Sequence, residues 1–223
     1  MKIEIWTDFN CPFCYIGKKN LDDALKDFKQ PIELIFRSFQ TFPSCPIGAT
    51  YSVYEVATSH GMPLAQAQAK SRYLEDLASS VGLTFDMDSV TMTNTIDAHR
   101  LVKYAEQFKL SEKLTNRLFS AVYSEGKHIG EHIQLAELAN EVGLDKTLVL
   151  NMLATNAFKD DVQKDISLAP QYRVQGVPHF VLDNQYIING AKPKTVFLDA
   201  LNGIVALTNK VDHSCDEIGC NIR

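Results

Sequence analysis

The chain contains 223 residues, 45% of them hydrophobic and 22% charged, with a formal net charge of −5. This composition gives a globular chain long enough to bury a core, and it excludes wholesale disorder or a fibrous repeat. The acidic balance supplies no footprint for phosphate backbones or anionic lipid, and no apolar run nears the ~18 residues that span a bilayer, so neither nucleic acid nor membrane is an expected partner.

At the N-terminus, Ile3 and Ile5 alternate with Lys2 and Glu4, which predicts a strand and leaves no basic, apolar, cleavable leader. The cytoplasm is therefore the expected compartment. Leu21, Ala24, Leu25 and Phe28 then recur at helical spacing, and the β-branched and aromatic run from Ile32 to Phe39 predicts a second strand. The segment from Phe39 to Thr50 has neither period and carries Pro43, Pro46 and Gly48, so it reads as a loop. From about Tyr51 to Leu153 the apolar pattern is helical throughout; Pro63 marks a helix start, Gly82 and Gly143 mark two ends, and Asp145 is a candidate cap. A helix through Phe158, Val162, Ile166 and Ala169 follows. Two short strands, His179-Phe180-Val181-Leu182 and Gln185-Tyr186-Ile187-Ile188-Asn189, flank a hairpin turn at Asp183-Asn184, and a last helix starts near Pro193. The expected class is α/β: one domain split into 1–48 and 154–209, a large all-helical insertion at 49–153, and a tail at 210–223.

The sharpest chemical signal is Cys11-Pro12-Phe13-Cys14, placed where a strand ends and a helix begins. Unpaired backbone N–H groups at a helix N-terminus stabilise a thiolate, and thiols in such places titrate at about 3.5–7.5 rather than ~8.5. Cys11 would attack a disulfide, and Cys14, one turn on, would resolve the mixed disulfide. The spacing alone also fits half of a zinc site or a pair of inert core thiols. A closed zinc site needs four ligands, however, and the next cysteine, Cys45, stands alone. A second signal is Gly176-Val177-Pro178-His179, where a proline enters a strand without an N–H to donate. A cis Val177–Pro178 bond would suit that position, but the dipeptide by itself does not require it.

Several ordered motifs surround the cysteines: Asp8-Phe9-Asn10 before them and Tyr15-Ile16-Gly17 after, then Thr93-Asn94-Thr95, Ala98-His99-Arg100-Leu101 and Ser124-Glu125-Gly126-Lys127-His128-Ile129. Gly176-Val177-Pro178-His179-Phe180 and Ile188-Asn189-Gly190-Ala191-Lys192-Pro193 complete the series. Together they resemble the DsbA-like thioredoxin-fold oxidoreductases, in particular the FrnE-type branch of cytoplasmic bacterial proteins. The resemblance implies a thioredoxin-like fold with a large all-helical insertion domain. It makes Cys11 the nucleophile, Cys14 the resolving thiol and Pro178 a cis-proline facing them, while Val177 offers backbone hydrogen bonds to an extended substrate. Pro12 and Phe13 contact substrate and tune the redox poise. The related 2-hydroxychromene-2-carboxylate isomerases and kappa-class glutathione transferases share the architecture but lack a CxxC site, and a thioredoxin-like chaperone or binding module is the rival from another class.

The tail pair Cys215 and Cys220 resembles the extra C-x4-C of some FrnE-type proteins and is a candidate secondary redox pair, against readings as spectator thiols or, with His213, as metal ligands. Cys45 has no counterpart in the family pattern and is expected to be a spectator. His128 and His132 are four apart, but Gly130 lies between them and no H-E-x-x-H motif is present, so no metal site is expected. The resemblance sets Asn94, His99 and Arg100 opposite the cysteines as substrate contacts; in the plainer reading Asn94 caps a helix starting near Ile96, and His99 and Arg100 lie on that helix's polar side. Asp8 is either a proton acceptor near Cys14 or the end of the strand. The expected activity is thiol–disulfide exchange with disulfide- or dithiol-containing proteins. It needs no metal or nucleotide; glutathione is a candidate redox partner and a homodimer is left open.

Overall fold

The computed structural model describes the backbone of residues 1–217 and the side chains of residues 1–207. Strand β1 (Lys2–Thr7) leads into helix α1 (Pro12–Asp27), which starts at Pro12 because a proline's fixed φ and missing N–H suit the first helical position. Strand β2 (Glu33–Ser38) returns parallel to β1, with Ile5 opposite Phe36. After the helical segment come the antiparallel strands β5 (His179–Leu182) and β6 (Tyr186–Asn189), and the sheet runs in the order β2-β1-β5-β6. Their hairpin turns at Asp183 and Asn184, both with positive φ, as a two-residue turn of that sequence requires. Central β1 is covered on both faces, so Ile3 and Ile5 join the main core while Trp6 packs with Ala169 and Val181 in a smaller cluster behind the sheet.

The inserted segment is helical except for one ribbon. It contains α2 (Val53–Ser59), α3 (Leu64–Ser80), α4 (Ile96–Glu106), α5 (Ser111–Glu125), α6 (His132–Glu141) and α7 (Lys146–Leu153). Between them, β3 (Thr50–Ser52) pairs antiparallel with β4 (Thr91–Thr93). These three-residue strands are too short to show a period in sequence. Asp145 caps α7 by accepting from the Leu148 N–H at 2.8 Å, and Gly82 and Gly143 take positive φ just past α3 and α6. Helix α8 (Lys159–Leu168) starts one residue later than its apolar spacing suggests, since Phe158 sits outside it at φ +61. The last helix, α9 (Lys194–Glu217), packs against α1 and continues past residue 209.

A buried ionic clasp joins the insertion to the sheet. Arg37 on β2 donates to Glu4 Oε1 from Nε at 3.0 Å and Nη2 at 2.5 Å, and to Asp165 Oδ1 from Nη1 at 2.9 Å. Lys103 on α4 reaches Asp165 Oδ2 and the Phe36 carbonyl, both at 2.7 Å, and the Ser38 N–H donates to Asp165 Oδ2 at 3.0 Å. Burial alone would raise the Glu4 pKa, but hydrogen bonds and charge from Arg37 and Lys2 outweigh it and hold the carboxyl below its usual range. Beside this clasp, fully buried Trp6 donates its indole N–H to the Asp165 carbonyl at 3.3 Å, and its ring lies 4.8 Å from Tyr172 and 5.9 Å, edge-on, from His179.

Candidate active site

The four residues ahead of α1 are each held by a different part of the chain. The Asp8 carboxylate accepts from the Thr41 N–H at 2.7 Å and the Thr41 hydroxyl at 2.6 Å, and lies 3.4 Å from His99 Nε2. The Phe9 carbonyl accepts from the Tyr123 hydroxyl at 3.0 Å. Asn10 pairs both ways with Thr93 of β4, donating to its carbonyl at 2.7 Å and accepting from its N–H at 3.3 Å. Cys11 forms the N-cap of α1; its N–H donates to the Asp8 carbonyl at 3.1 Å and its thiol to the Val177 carbonyl at 3.4 Å. The insertion thus supplies three of the groups that fix the approach to the cysteines: the Tyr123 and His99 side chains and the Thr93 main chain.

The two cysteines are free thiols in unlike surroundings. Cys11 retains 9% exposure and borders an open cleft; Cys14 is 1% exposed beneath it. Burial pushes the Cys14 thiol well above its usual pKa, and the neighbouring Cys11 sulfur pushes it further, while the Thr7 hydroxyl and the Asp8 main chain oppose the shift. For Asp8, burial favours the neutral acid, but the His99 and Thr41 contacts outweigh it and lower the pKa. Tyr123 is pushed well above the phenol range by burial, and further by the charges at Cys11, Cys14 and Asp8, so it stays a neutral donor.

The Val177–Pro178 peptide is cis, and its loop lies against α1. A Cβ on Gly17 would come 3.0 Å from Pro178 Cγ, 3.2 Å from the Phe180 ring and 3.3 Å from the Ala191 Cα, so any larger residue would press on the Pro178 loop. The Gly190 N–H holds the Pro178 carbonyl at 2.8 Å. Gly126 plays a comparable part at the end of α5: at φ +60 it allows the turn, and an added Cβ would fall 2.7 Å from Ser89 Cβ.

Cys11, Pro12 and Phe13 border the cleft, the Val177 carbonyl meets the Cys11 thiol, and Pro178 packs on Gly17 of α1, while Cys14 is buried in the first turn of that helix. Asn94, His99 and Arg100 do not form a substrate-facing trio. Asn94 Oδ1 accepts from the Ile96 N–H at 3.0 Å and its amide donates to the Cys45 carbonyl at 2.7 Å, a local capping role. His99 and Arg100 are buried rather than on a polar face, because each meets an internal partner. His99 faces Asp8; Arg100 donates to the Met152, Thr155 and Ala157 carbonyls at 3.1, 2.5 and 2.7 Å, tying down the connection from α7 to α8. His128 and His132 have separate partners, Thr93 Oγ1 at 3.1 Å and Asp97 Oδ2 at 2.8 Å. Cys45 is buried, which raises its thiol pKa. The Cys215 side chain and Cys220 lie outside the described residues. Sequence reasoning assigned no role to Thr41 or Tyr123, which carry no local signal; Asn10 and Thr93 stood inside recognised motifs without a part to play.

Residues 2–202 match the DSBA-like thioredoxin domain family, and the chain belongs to that family. A probable DsbA oxidoreductase from Streptomyces coelicolor is 34% identical and superposes with a TM-score of 0.87 over 91% of this chain and 89% of its own. A 2-hydroxychromene-2-carboxylate isomerase, at 18% identity and TM-score 0.69, covers 94% of this chain and 98% of its own. The cytosolic disulfide reductase DsbM from Pseudomonas aeruginosa, at 17% identity and TM-score 0.65, covers 93% and 100%. The last two share the fold. No helix among the described residues is long and apolar enough to cross a membrane.

Proposed function

We propose that the chain is a thiol–disulfide oxidoreductase in which Cys11 attacks and Cys14 resolves. The unequal access of the two sulfurs carries this reading: Cys11 borders the cleft at the N-terminus of α1, and Cys14 lies within reach behind it. The Cys11 thiolate attacks one sulfur of a substrate disulfide, forming a mixed disulfide and expelling the other sulfur as a thiolate. Cys14 gives up its proton and attacks the Cys11 sulfur; the Cys11–Cys14 disulfide forms and the second substrate sulfur leaves. Two electrons pass from the dithiol to the substrate, and the reverse sequence oxidises substrate dithiols. The raised Cys14 pKa keeps the resolving thiol protonated until Cys11 has lost its negative charge to the mixed disulfide.

Pro178 holds the Val177 carbonyl against Cys11, and that carbonyl becomes a free acceptor for a substrate N–H once the Cys11 thiol is ionised or joined to substrate. Pro12 and Phe13 border the approach. Protein disulfides or dithiols and glutathione are the proposed partners, in the cytoplasm, with Cys215 and Cys220 as a second pair exchanging with the first.

The test is a trap. Cys14→Ser should accumulate a mixed disulfide at Cys11 that mass spectrometry locates, and Cys11→Ser should lower exchange by about a thousandfold or more. Retention of exchange in Cys11→Ser would overturn the assignment. Equilibration of the full chain in glutathione buffers should give a reversible two-electron couple, and a Cys215→Ser/Cys220→Ser double variant should shift its potential if the tail pair takes part.

A further inference from the structure

A cleft of about 370 Å³ opens on the insertion side of Cys11, away from Val177 and Pro178, neither of which borders it. Its lining comes from α1, α2, α3, α5, β4 and the loops between them, and most of its surface is apolar, with Asn10, Thr41, His60, Lys70, Ser71 and Tyr123 as the polar members. Val56, Ala57, Leu74 and Val90 line it together with Met62, Met87 and Met92. Three of the five methionines in the chain thus line one cavity. Methionine side chains are unbranched and adaptable, so they select for apolar character and approximate size more than for one shape. The sulfur of Cys11 is part of the same wall.

Resting on the exchange reading above, we propose that this cleft binds the apolar body of a low-molecular-weight disulfide, a substrate class additional to the protein and glutathione partners named there. The ligand class is a compact alkyl or aryl group attached directly to the sulfur that Cys11 attacks. Size and lining both support this. At ~30 Å³ of liquid volume per small polar molecule, the cleft holds a group of about a dozen non-hydrogen atoms, enough for one such body. Glutathione would find Lys70, His60 and a few neutral polar groups for its carboxylates and amides, but most of the wall would desolvate them without a partner, a cost that an alkyl group does not incur. An extended polypeptide would need main-chain partners, and the one beside Cys11, the Val177 carbonyl, belongs to a residue that does not line the cleft. The reaction is the balanced exchange already described: Cys11 takes one RS group as a mixed disulfide and releases RS⁻, and closure of the Cys11–Cys14 bond releases the second.

The experiment uses the reduced full-length chain, with its oxidation by dibutyl disulfide, bis(2-hydroxyethyl) disulfide and glutathione disulfide followed by thiol trapping and mass spectrometry. Each rate constant is divided by that of the same disulfide with dithiothreitol, which removes intrinsic reactivity. Burial of each methylene is worth about fourfold, so dibutyl disulfide should be favoured over both polar disulfides by about tenfold or more. In Ala57→Trp, which fills the cleft, and in Val56→Asp, which charges it, the preference should fall to within about threefold; circular dichroism establishes that each variant is folded, and the pair keeps one misfolded protein from deciding the matter. Equal normalised rates for the three disulfides overturn the proposal while leaving the exchange reading intact. So does a preference that survives in both folded variants, or one seen only with a disulfide-linked apolar peptide, which would make the occupant a protein side chain. Failure to react with any disulfide overturns the proposal together with the reading beneath it.

Discussion

Two carboxylates, Asp8 and Asp165, are almost completely buried, and they are satisfied in opposite ways. Asp165 sits between permanent cations, Arg37 and Lys103, with a main-chain N–H from Ser38. Asp8, at the approach to the cysteines, has two hydrogen bonds from Thr41 and a longer contact to His99, but no lysine or arginine among the described residues. The first arrangement fixes structure: it locks α4 of the insertion and α8 onto the sheet. The second keeps a negative charge near thiols whose own charge must appear and vanish during exchange, without a fixed cation that would hold one charge state throughout. The difference teaches where this fold spends rigidity and where it leaves electrostatics adjustable.

The comparison is broken most severely at the clasp. Asp165→Ala takes the shared acceptor from buried Lys103 and half-buried Arg37, leaving Arg37 with Glu4 alone, and should lower the unfolding free energy by about 3–5 kcal/mol in urea titration. A loss below about 1 kcal/mol would mean that water or Glu4 takes over the role of Asp165.

Gly17→Ala acts between the two regions, driving a methyl group into Pro178 and Phe180. The overpacking should cost about 1–3 kcal/mol and displace the Pro178 loop, visible as a changed Cys11–Cys14 reduction potential.

Asp8→Asn sharpens the other side of the comparison. It should cost about 1–3 kcal/mol at neutral pH, because Thr41 loses a charged acceptor. The folded-state pKa of Asp8 is lowered, so its stabilisation is complete above the ordinary value of 3.8 and is lost as pH falls through the folded value; the variant should lack that part of the acid loss. An unaltered acid limb would show that Asp8 is not held ionised.

The smallest effect is expected at His179, which is wholly buried and whose ring nitrogens make no well-formed hydrogen bond, with the Asn189 side chain and the Tyr172 main chain as the nearby polar groups. Burial lowers its pKa, with the Asn189 side chain and the Tyr172 main chain opposing. An unfolded chain therefore gains a proton that the folded one resists, and stability declines as pH falls from about 6.5 toward the lowered folded value. His179→Leu should change stability by less than about 1 kcal/mol at pH 7.5 and flatten the decline between pH 6.5 and 5.

Much of this organisation is legible in the sequence where the signal is local. The Ile3/Ile5 alternation, the Cys-x-x-Cys at a strand-to-helix junction, the Asp183-Asn184 turn and the Asp145 cap all work through neighbours a few residues away. The ribbon of β3 and β4 is not legible, since three residues cannot display a period and its partners stand about forty positions apart. His99 and Arg100 read as surface polar residues because their partners, Asp8 and the carbonyls after α7, come from distant segments. Burial of a charged side chain follows from tertiary pairing, which composition does not encode. The apolar cleft is hidden for a related reason: it gathers residues from four helices and a strand, each of which also contributes to an ordinary helical or strand pattern.

Trp6 has an optical consequence. It is the only tryptophan in the sequence, so indole emission from the native protein arises at one point behind the sheet, not at the cleft. A protonated imidazole quenches a nearby indole, and His179 lies edge-on to this one. The wild-type protein should therefore dim as His179 takes up a proton, and comparison with His179→Leu would turn ordinary fluorescence into a titration of a single buried ring, with no label attached.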